Sequence, residues 1–168
     1  MKKLIVFSLM MLFISASYAT PNSITSCAGK QVLGISENII LSNHLKIPAK
    51  LDTGAAMSSL SAVNIAQFNK DNKVWLRFNV ENTVITAPLQ GYVRIISRNE
   101  ENNQNAYHTR MVIALPICLG QQQQTILINL TDRRNFSYPM LLGVDALKKF
   151  NVLVDVEQNQ ISIPACKS

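Results

Sequence analysis

Leu51-Asp52-Thr53-Gly54 follows directly on Ile47-Pro48-Ala49-Lys50, so a short apolar run delivers a carboxylate, a hydroxyl and a glycine in succession. An aspartate at the end of a buried strand, held at the mouth of a tight turn, is placed where water reaches it. Glycine suits such a turn because a Cβ would obstruct it, and threonine can hydrogen-bond backbone groups nearby. The arrangement is suited to acid–base chemistry. Read alone, the triplet fits an ordinary turn better, because Asp-x-Gly is common in turns that carry no chemistry.

Upstream, Met1-Lys2-Lys3 precedes an apolar stretch from Leu4 to Ile14, and Ser17-Tyr18-Ala19 offers small residues for cleavage. A charged start, a short apolar region and an A-x-A-like site predict a secretory signal peptide over residues 1–19. The stretch is short for a span, which needs about 20 residues, so no stable membrane insertion is expected after cleavage. Export across the inner membrane, with a periplasmic destination, follows. Residues 20–168 then form a single domain. Loss of Lys2 and Lys3 lowers the formal net charge from +6 to +4. The basic residues are scattered, with Arg133-Arg134 and Lys148-Lys149 as the mature doublets, and no basic stripe interleaved with aromatics marks a nucleic-acid partner.

Three cysteines remain, Cys27, Cys118 and Cys166. In an oxidising compartment one pair can bridge. Cys27 and Cys166 lie near opposite ends of a domain whose termini tend to be close, so these two are the expected pair. Cys118, within Ile117-Cys118-Leu119, is expected as a core filler.

Short apolar segments dominate the rest. Strands are expected at 32–35, 39–41, 45–51, 74–80, 84–89, 92–96, 107–115, 125–130, 140–142, 152–156 and 160–163. Val74 to Val80 partly alternates, as a half-buried antiparallel strand does. Many short strands at close spacing predict an all-β sandwich or barrel. Helices are expected at 62–68 and 144–150, the latter with Asp145 in its first turn and Lys148-Lys149 in its last. Arg98 to Gln104 reads as a hairpin loop and Gln121 to Gln124 as a turn.

Several chemistries have no footing. No His-Glu-x-x-His and no Cys-x-x-Cys occurs, so His44 and His108 are expected at the surface and no metal site is predicted. No phosphate-cradling glycine loop is present, and no cofactor is expected. Ser58, Ser59 and Ser61 follow the Asp52 turn but sit in no G-x-S-x-G elbow.

A second segment, Pro139-Met140-Leu141-Leu142-Gly143-Val144-Asp145-Ala146-Leu147, gives a short apolar strand, a glycine and a helix. Together with Ile47 to Ala55, Lys73 to Phe78, Ile128 to Arg134, Tyr138 to Gly143 and Val152 to Asp155, in that order, it resembles the retropepsin-like aspartic peptidases. Members of that family were formerly labelled ATP-dependent zinc proteases, and they are often encoded near ATP-grasp peptide ligases. The resemblance spans about residues 30–157. It implies a closed retropepsin-like β-barrel with one or two short helices. Leu141, Leu142 and Gly143 would cross behind the Asp52 strand as structural support, the glycine being required where two backbones approach closely.

The same resemblance implies Asp52, Thr53 and Gly54 as the catalytic triplet. Gly54 and Ala55 would leave backbone room for an extended protein or peptide substrate bound by strand addition, with Ala55, Ala56 and Met57 as substrate-binding positions. Two neighbouring carboxylates share a proton; the charged one activates a water and the neutral one protonates the carbonyl oxygen. One Asp-Thr-Gly per chain supplies half of such a dyad, so a homodimer is expected, with the Asp52 residues meeting on a two-fold axis and each Thr53 bracing the pair. Asp132, Asp145 and Asp155 read instead as an acid paired to arginine, a first-turn helix residue and a turn or edge residue.

The chain departs from the family where Arg-Thr-Ser usually follows Asp-Thr-Gly-Ala: Ala56-Met57-Ser58 stand there. It also carries Val144-Asp145 where an Arg-Thr pair is frequent. The first departure removes a charge and a hydroxyl beside the turn. It leaves a non-catalytic peptide-binding or regulatory module of the cell envelope as the alternative to an endopeptidase. A metal-dependent peptidase, a third reading, predicts loss of activity with a chelator.

Overall fold

A computed structural model describes residues 26–98 and 105–166. The expected signal peptide lies outside the described residues, as does the expected loop after Arg98. The elements in order are β1 (Ser26–Cys27), β2 (Lys30–Gly34), β3 (Ser36–Ile40), a single 3-10 turn (Ser42–His44), β4 (Lys46–Leu51) and β5 (Ser58–Ser61). Then come β6 (Val63–Lys70), β7 (Lys73–Val80), β8 (Thr83–Arg98), β9 (Asn105–Leu119), β10 (Gln122–Thr131), β11 (Met140–Leu142), α1 (Val144–Lys149) and β12 (Val152–Asp155).

The main sheet closes on itself. Strand β10 pairs with β5, β5 with β11, β11 with β4, β4 with β3, β3 with β9, and β9 returns to β10. Closure removes the free edges that an open sheet would expose. Period-two patterning drives it: in β4, Ile47, Ala49 and Leu51 are buried while Lys46 and Lys50 face solvent. Ile39, Leu60, Ile113, Ile117, Ile128, Met140 and Leu142 fill the same core. The ribbon β8-β7-β6 extends from β9, and β1-β2-β12 forms a small separate sheet. The all-β retropepsin-like expectation holds.

Helix α1 forms where expected, with Ala146 and Leu147 buried, Asp145 in its first turn and Lys148 and Lys149 in its last. The other expected helix does not form. Residues 63–70 are strand β6, paired with β7 through the turn Asp71-Asn72, both of whose residues have positive φ. Two such residues match the right-handed twist of a hairpin. A seven-residue helix carrying Val63 and Ile65 would have few hydrogen bonds to offset its nucleation cost. The expected strands at 84–89 and 92–96 are one strand, β8, with a register shift between Leu89 and Gly91. Gly91 takes a φ of +153° that other residues rarely adopt.

Residues 160–163 join no sheet: Gln160 takes a positive φ, and the backbone donors of the segment go elsewhere. Gln160 N–H donates to Ser36 O (2.7 Å), and the N–H groups of Ile161 and Ser162 donate to the Glu37 carboxylate (3.2 and 3.0 Å). This clamp steers the C-terminal segment across the end of β3, where Ile40 is in register with Cys118.

The disulfide therefore joins Cys118 to Cys166, with Cα atoms 5.8 Å apart, and Cys27 is free and exposed. The expected Cys27–Cys166 pairing is wrong: Cys27 lies on the small outer sheet, and the tail is led to β9 instead. Cys118 is buried, as a core filler would be, but its sulfur is bonded. The bridge spans 48 residues. A chain-entropy argument gives such a loop about 4 kcal/mol of stabilisation, so Cys118→Ser combined with Cys166→Ser is expected to lower stability by about that amount in urea denaturation.

Candidate functional site

Strand β4 ends at the buried Leu51 and releases Asp52 at the rim of the barrel, partly exposed. The Asp52 N–H donates to Leu142 O at 2.9 Å, and its Oδ1 accepts the Gly54 N–H at 2.8 Å. The second bond closes the turn over the carboxylate. A Cβ on Gly54 would sit 3.3 Å from Asp52 Oδ1, a crowded contact. Thr53 is exposed, and its hydroxyl bonds to no other described residue. Ala56 is exposed beside it; Ala55 and Met57 are half-buried.

Strand β11 lies between the two strands that flank this turn. It pairs parallel with β4 (Leu141 with Lys50, Leu142 with Leu51) and antiparallel with β5 (Met140 with Leu60, Leu141 with Ser59). Gly143 follows at the tightest point. A Cβ there would lie 2.6 Å from the Met57 carbonyl carbon and 2.7 Å from Ala55 O. The expected close approach of two backbones is thus the reason for this glycine. The first N–H groups of α1, which lack partners within the helix, donate to the same loop: Val144 to Ala55 O (2.7 Å) and Asp145 to Ala56 O (3.1 Å). Turn and helix hold each other in place. Gly143→Ala has nowhere to put its methyl and is expected to cost about 3 kcal/mol, read as a drop in the denaturation midpoint.

Strand β5 is buried along its whole length, Ser58-Ser59-Leu60-Ser61. Buried hydroxyls require partners, and each has one. Ser58 Oγ accepts the Gly143 N–H (3.1 Å), Ser59 Oγ accepts from Arg133 Nη1 (2.9 Å), and Ser61 Oγ accepts the Arg133 N–H (3.1 Å). These serines brace the turn. Arg133 also donates through Nε to Tyr138 O at 3.2 Å. Arg110 on β9 donates to Asn129 Oδ1 (3.1 Å), whose amide in turn donates to Ser58 O (2.7 Å).

The sequence reading did not single out Arg110, Asn129 or the bracing serines. Ser58, Ser59 and Ser61 were noted after the turn, but their burial, which gives them this role, is visible only in the structure. The sequence reading also placed Asp132 beside two cations, Arg133 and Arg134. Among the described residues Asp132 pairs with Arg134 alone, at 2.6 Å, and bonds from that guanidinium and backbone N–H lower its carboxyl to about 2. Arg133 turns inward. Asp145 lies in the first turn of α1, beside a groove lined by Thr125 and Lys149, and Asp155 caps its own turn through the Glu157 N–H. His44 and His108 both lie away from these bonds; His108 is on β9, opposite Ile95 of β8.

A closed β-barrel whose Asp-Thr-Gly turn is crossed from behind by an apolar pair and a glycine has the architecture of the retropepsin-like proteins. The model of the RimB-like family, described as retropepsin-like aspartic endopeptidase RimB, matches residues 32–165, and the chain belongs to that family.

A probable alpha-L-glutamate ligase of Parasynechococcus marenigrum (strain WH8102) is 37% identical over 120 residues, covering 66% of this chain and 24% of the relative. A probable alpha-L-glutamate ligase of Shewanella halifaxensis (strain HAW-EB4) is 32% identical over 122 residues, covering 67% and 25%. The match thus spans about a quarter of the length of these curated relatives. The crystal structure of a Legionella pneumophila protein of unknown function superposes with a TM-score of 0.66 at 36% identity, covering 77% of this chain and 95% of that one.

Proposed function

We propose that this protein is an exported aspartic endopeptidase that works as a homodimer, one Asp52 from each subunit forming the acid pair. The observation that carries the reading is the Asp52 turn itself. One carboxylate oxygen is tied to Gly54, the turn is locked by β11 and α1, and the carboxylate is left partly open at the barrel rim. In the dimer a water held between the two carboxyls would be deprotonated by the charged one and attack the peptide carbonyl, while the neutral one donates to its oxygen.

Three further observations support the dimer and the exported state. Asp132 and Asp155 are bonded elsewhere in the same chain and Asp145 sits in the first turn of α1, which favours a second copy as the source of the other acid. The free hydroxyl of Thr53, beside Asp52, suits a bond across the two-fold axis. The Cys118–Cys166 bridge suits an oxidising compartment such as the periplasm. The substrate is a polypeptide, and the glutamate in the relatives' name makes glutamate-containing chains the first to try. The ligase activity in that name belongs to much longer proteins.

The alternative, a non-catalytic peptide-binding module, is favoured by Ala56 and Met57, which place no charge or hydroxyl beside the turn. A peptide-library cleavage assay from acidic to neutral pH, run on wild type and Asp52→Asn with the oligomeric state measured in parallel, decides between them. Cleavage by a dimer and none by the variant is expected. Peptide binding that is equal in both proteins, with no turnover, would establish the binding module instead.

A further inference from the structure

Strand β10 has a neighbour on both sides for only part of its length. Strand β9 pairs with it along residues 122–129, whereas β5 pairs with it only along 128–131. Between Gln122 and Leu127 the side away from β9 therefore meets no other strand among the described residues. The ladder fixes which backbone groups look out there. Thr125 is in register with Pro116, which has no N–H to give, and Thr125 O takes the Lys149 amine instead. Its backbone thus points away from β9, and by the alternation of an antiparallel pair those of Gln123 and Leu127 do the same.

Between this edge and α1 runs a groove of about 440 Å³, with Ala114, Ile126 and Ala146 as its apolar lining. Leu127, also in the lining, is 53% exposed. Asp145 and Lys149 complete it, neighbours one helical turn apart. Lys149 is engaged with Thr125 O, and no cation meets Asp145 among the described residues. A lysine often guards a strand edge, but a guard alone needs neither an apolar groove nor an exposed leucine beside it. No lining residue belongs to the loop 52–57, so the groove is separate from the Asp52 turn.

We propose that this groove binds an extended segment of a partner polypeptide. The segment adds a strand to the open edge of β10, seats an apolar side chain against Ala114 and Ala146, and sets a lysine or arginine against Asp145. Outward main-chain groups on an edge are matched by another strand, and the free carboxylate favours a cation over an acid. Side chains two positions apart share one face of a strand. The recognised pattern is therefore an apolar residue with a basic residue two positions away.

The test reads binding alone, on Asp52→Asn protein, so its outcome does not depend on whether the wild type cleaves peptides. Labelled Ser/Thr-rich peptides with blocked ends are titrated by fluorescence anisotropy. One carries a central leucine and a lysine two positions on; a second has glutamate in place of that lysine. Two further forms of the lysine peptide are N-methylated on one or the other set of alternate residues. The lysine peptide is expected to bind roughly tenfold more tightly than the glutamate peptide, an attraction being exchanged for a repulsion. One methylated form should lose binding and the other keep it, because alternate N–H groups face the edge. Ala114→Leu, which fills the groove, should abolish binding, and Asp145→Asn should remove the lysine preference. If Ala114→Leu fails to fold by circular dichroism, Asp145→Asn and the methylated pair decide. No binding, no lysine preference, equal effects of the two methylations, or a preference that survives Asp145→Asn would overturn the proposal. Sedimentation is run in parallel. Self-association that Ala114→Leu abolishes, without peptide binding, would give the groove to a second copy and overturn the partner strand.

Discussion

Asp52→Asn is expected to lower peptide cleavage by roughly a thousandfold or more, the scale of losing one member of a catalytic group that acts as a unit. The fold should survive. Among the described residues the Asp52 carboxylate accepts one bond, from the Gly54 N–H, and an asparagine oxygen can accept it equally. The change in stability should stay within about 0.5 kcal/mol, as for a substitution that breaks no buried network.

The dimer adds a second quantitative expectation. If each site needs an aspartate from both subunits, an equal mixture of wild-type and variant chains, allowed to exchange, should keep about a quarter of the wild-type rate, because a two-fold site is complete only in wild-type pairs. A chain that works alone would keep about half. Retention of half the rate, or cleavage by a strictly monomeric species, would rule out the shared dyad.

Glu37→Ala is expected to have the largest effect on stability. Glu37 is fully buried. Its Oε1 accepts from the N–H groups of Gly34 (2.7 Å) and Ile161 (3.2 Å), and its Oε2 from Ser162 N–H (3.0 Å) and Ser162 Oγ (2.8 Å). One side chain on β3 thus satisfies backbone groups of β2 and of the C-terminal segment together. Alanine leaves these donors without a partner, and an unsatisfied buried donor costs about 1–3 kcal/mol. A loss of about 3–5 kcal/mol is expected once some donors find water, measured by urea denaturation. Glu37→Gln, which keeps one acceptor oxygen, should fall between. The same segment is held by the Cys118–Cys166 bridge, so removing both restraints should give less than the sum of the two losses. An unchanged midpoint in Glu37→Ala would show that the carboxylate does not hold the tail.

The parts of the protein legible in the sequence are those whose causes are local. Alternating apolar residues specify strands, and β4, β7 and β10 appear near their expected positions. Helix α1 was readable from charges at its two ends, whereas the role of Gly143 came through the family resemblance, and the close approach of two backbones there accounts for it. Where local signals conflicted, the reading failed. Residues 62–68 can be drawn with a helical stripe, yet the Asp71-Asn72 turn and the pairing with β7 make them a strand.

The candidate site divides in the same way. Asp52 and its turn follow from residues adjacent in sequence, and the crossing strand from the family resemblance. The assignment of Arg134 to Asp132 and of Arg133 to Ser59, Ser61 and Tyr138 does not. Neighbouring arginines are chemically identical until the barrel closes and puts one of them inside. The choice of Cys118 over Cys27 for Cys166 has the same origin: Glu37 and Ser36 lead the tail to β9 through bonds spanning more than a hundred residues. Local residue chemistry determined the strands and the acid turn. Only closure of the sheet, which brings distant segments within bonding distance, decided which buried groups would satisfy one another.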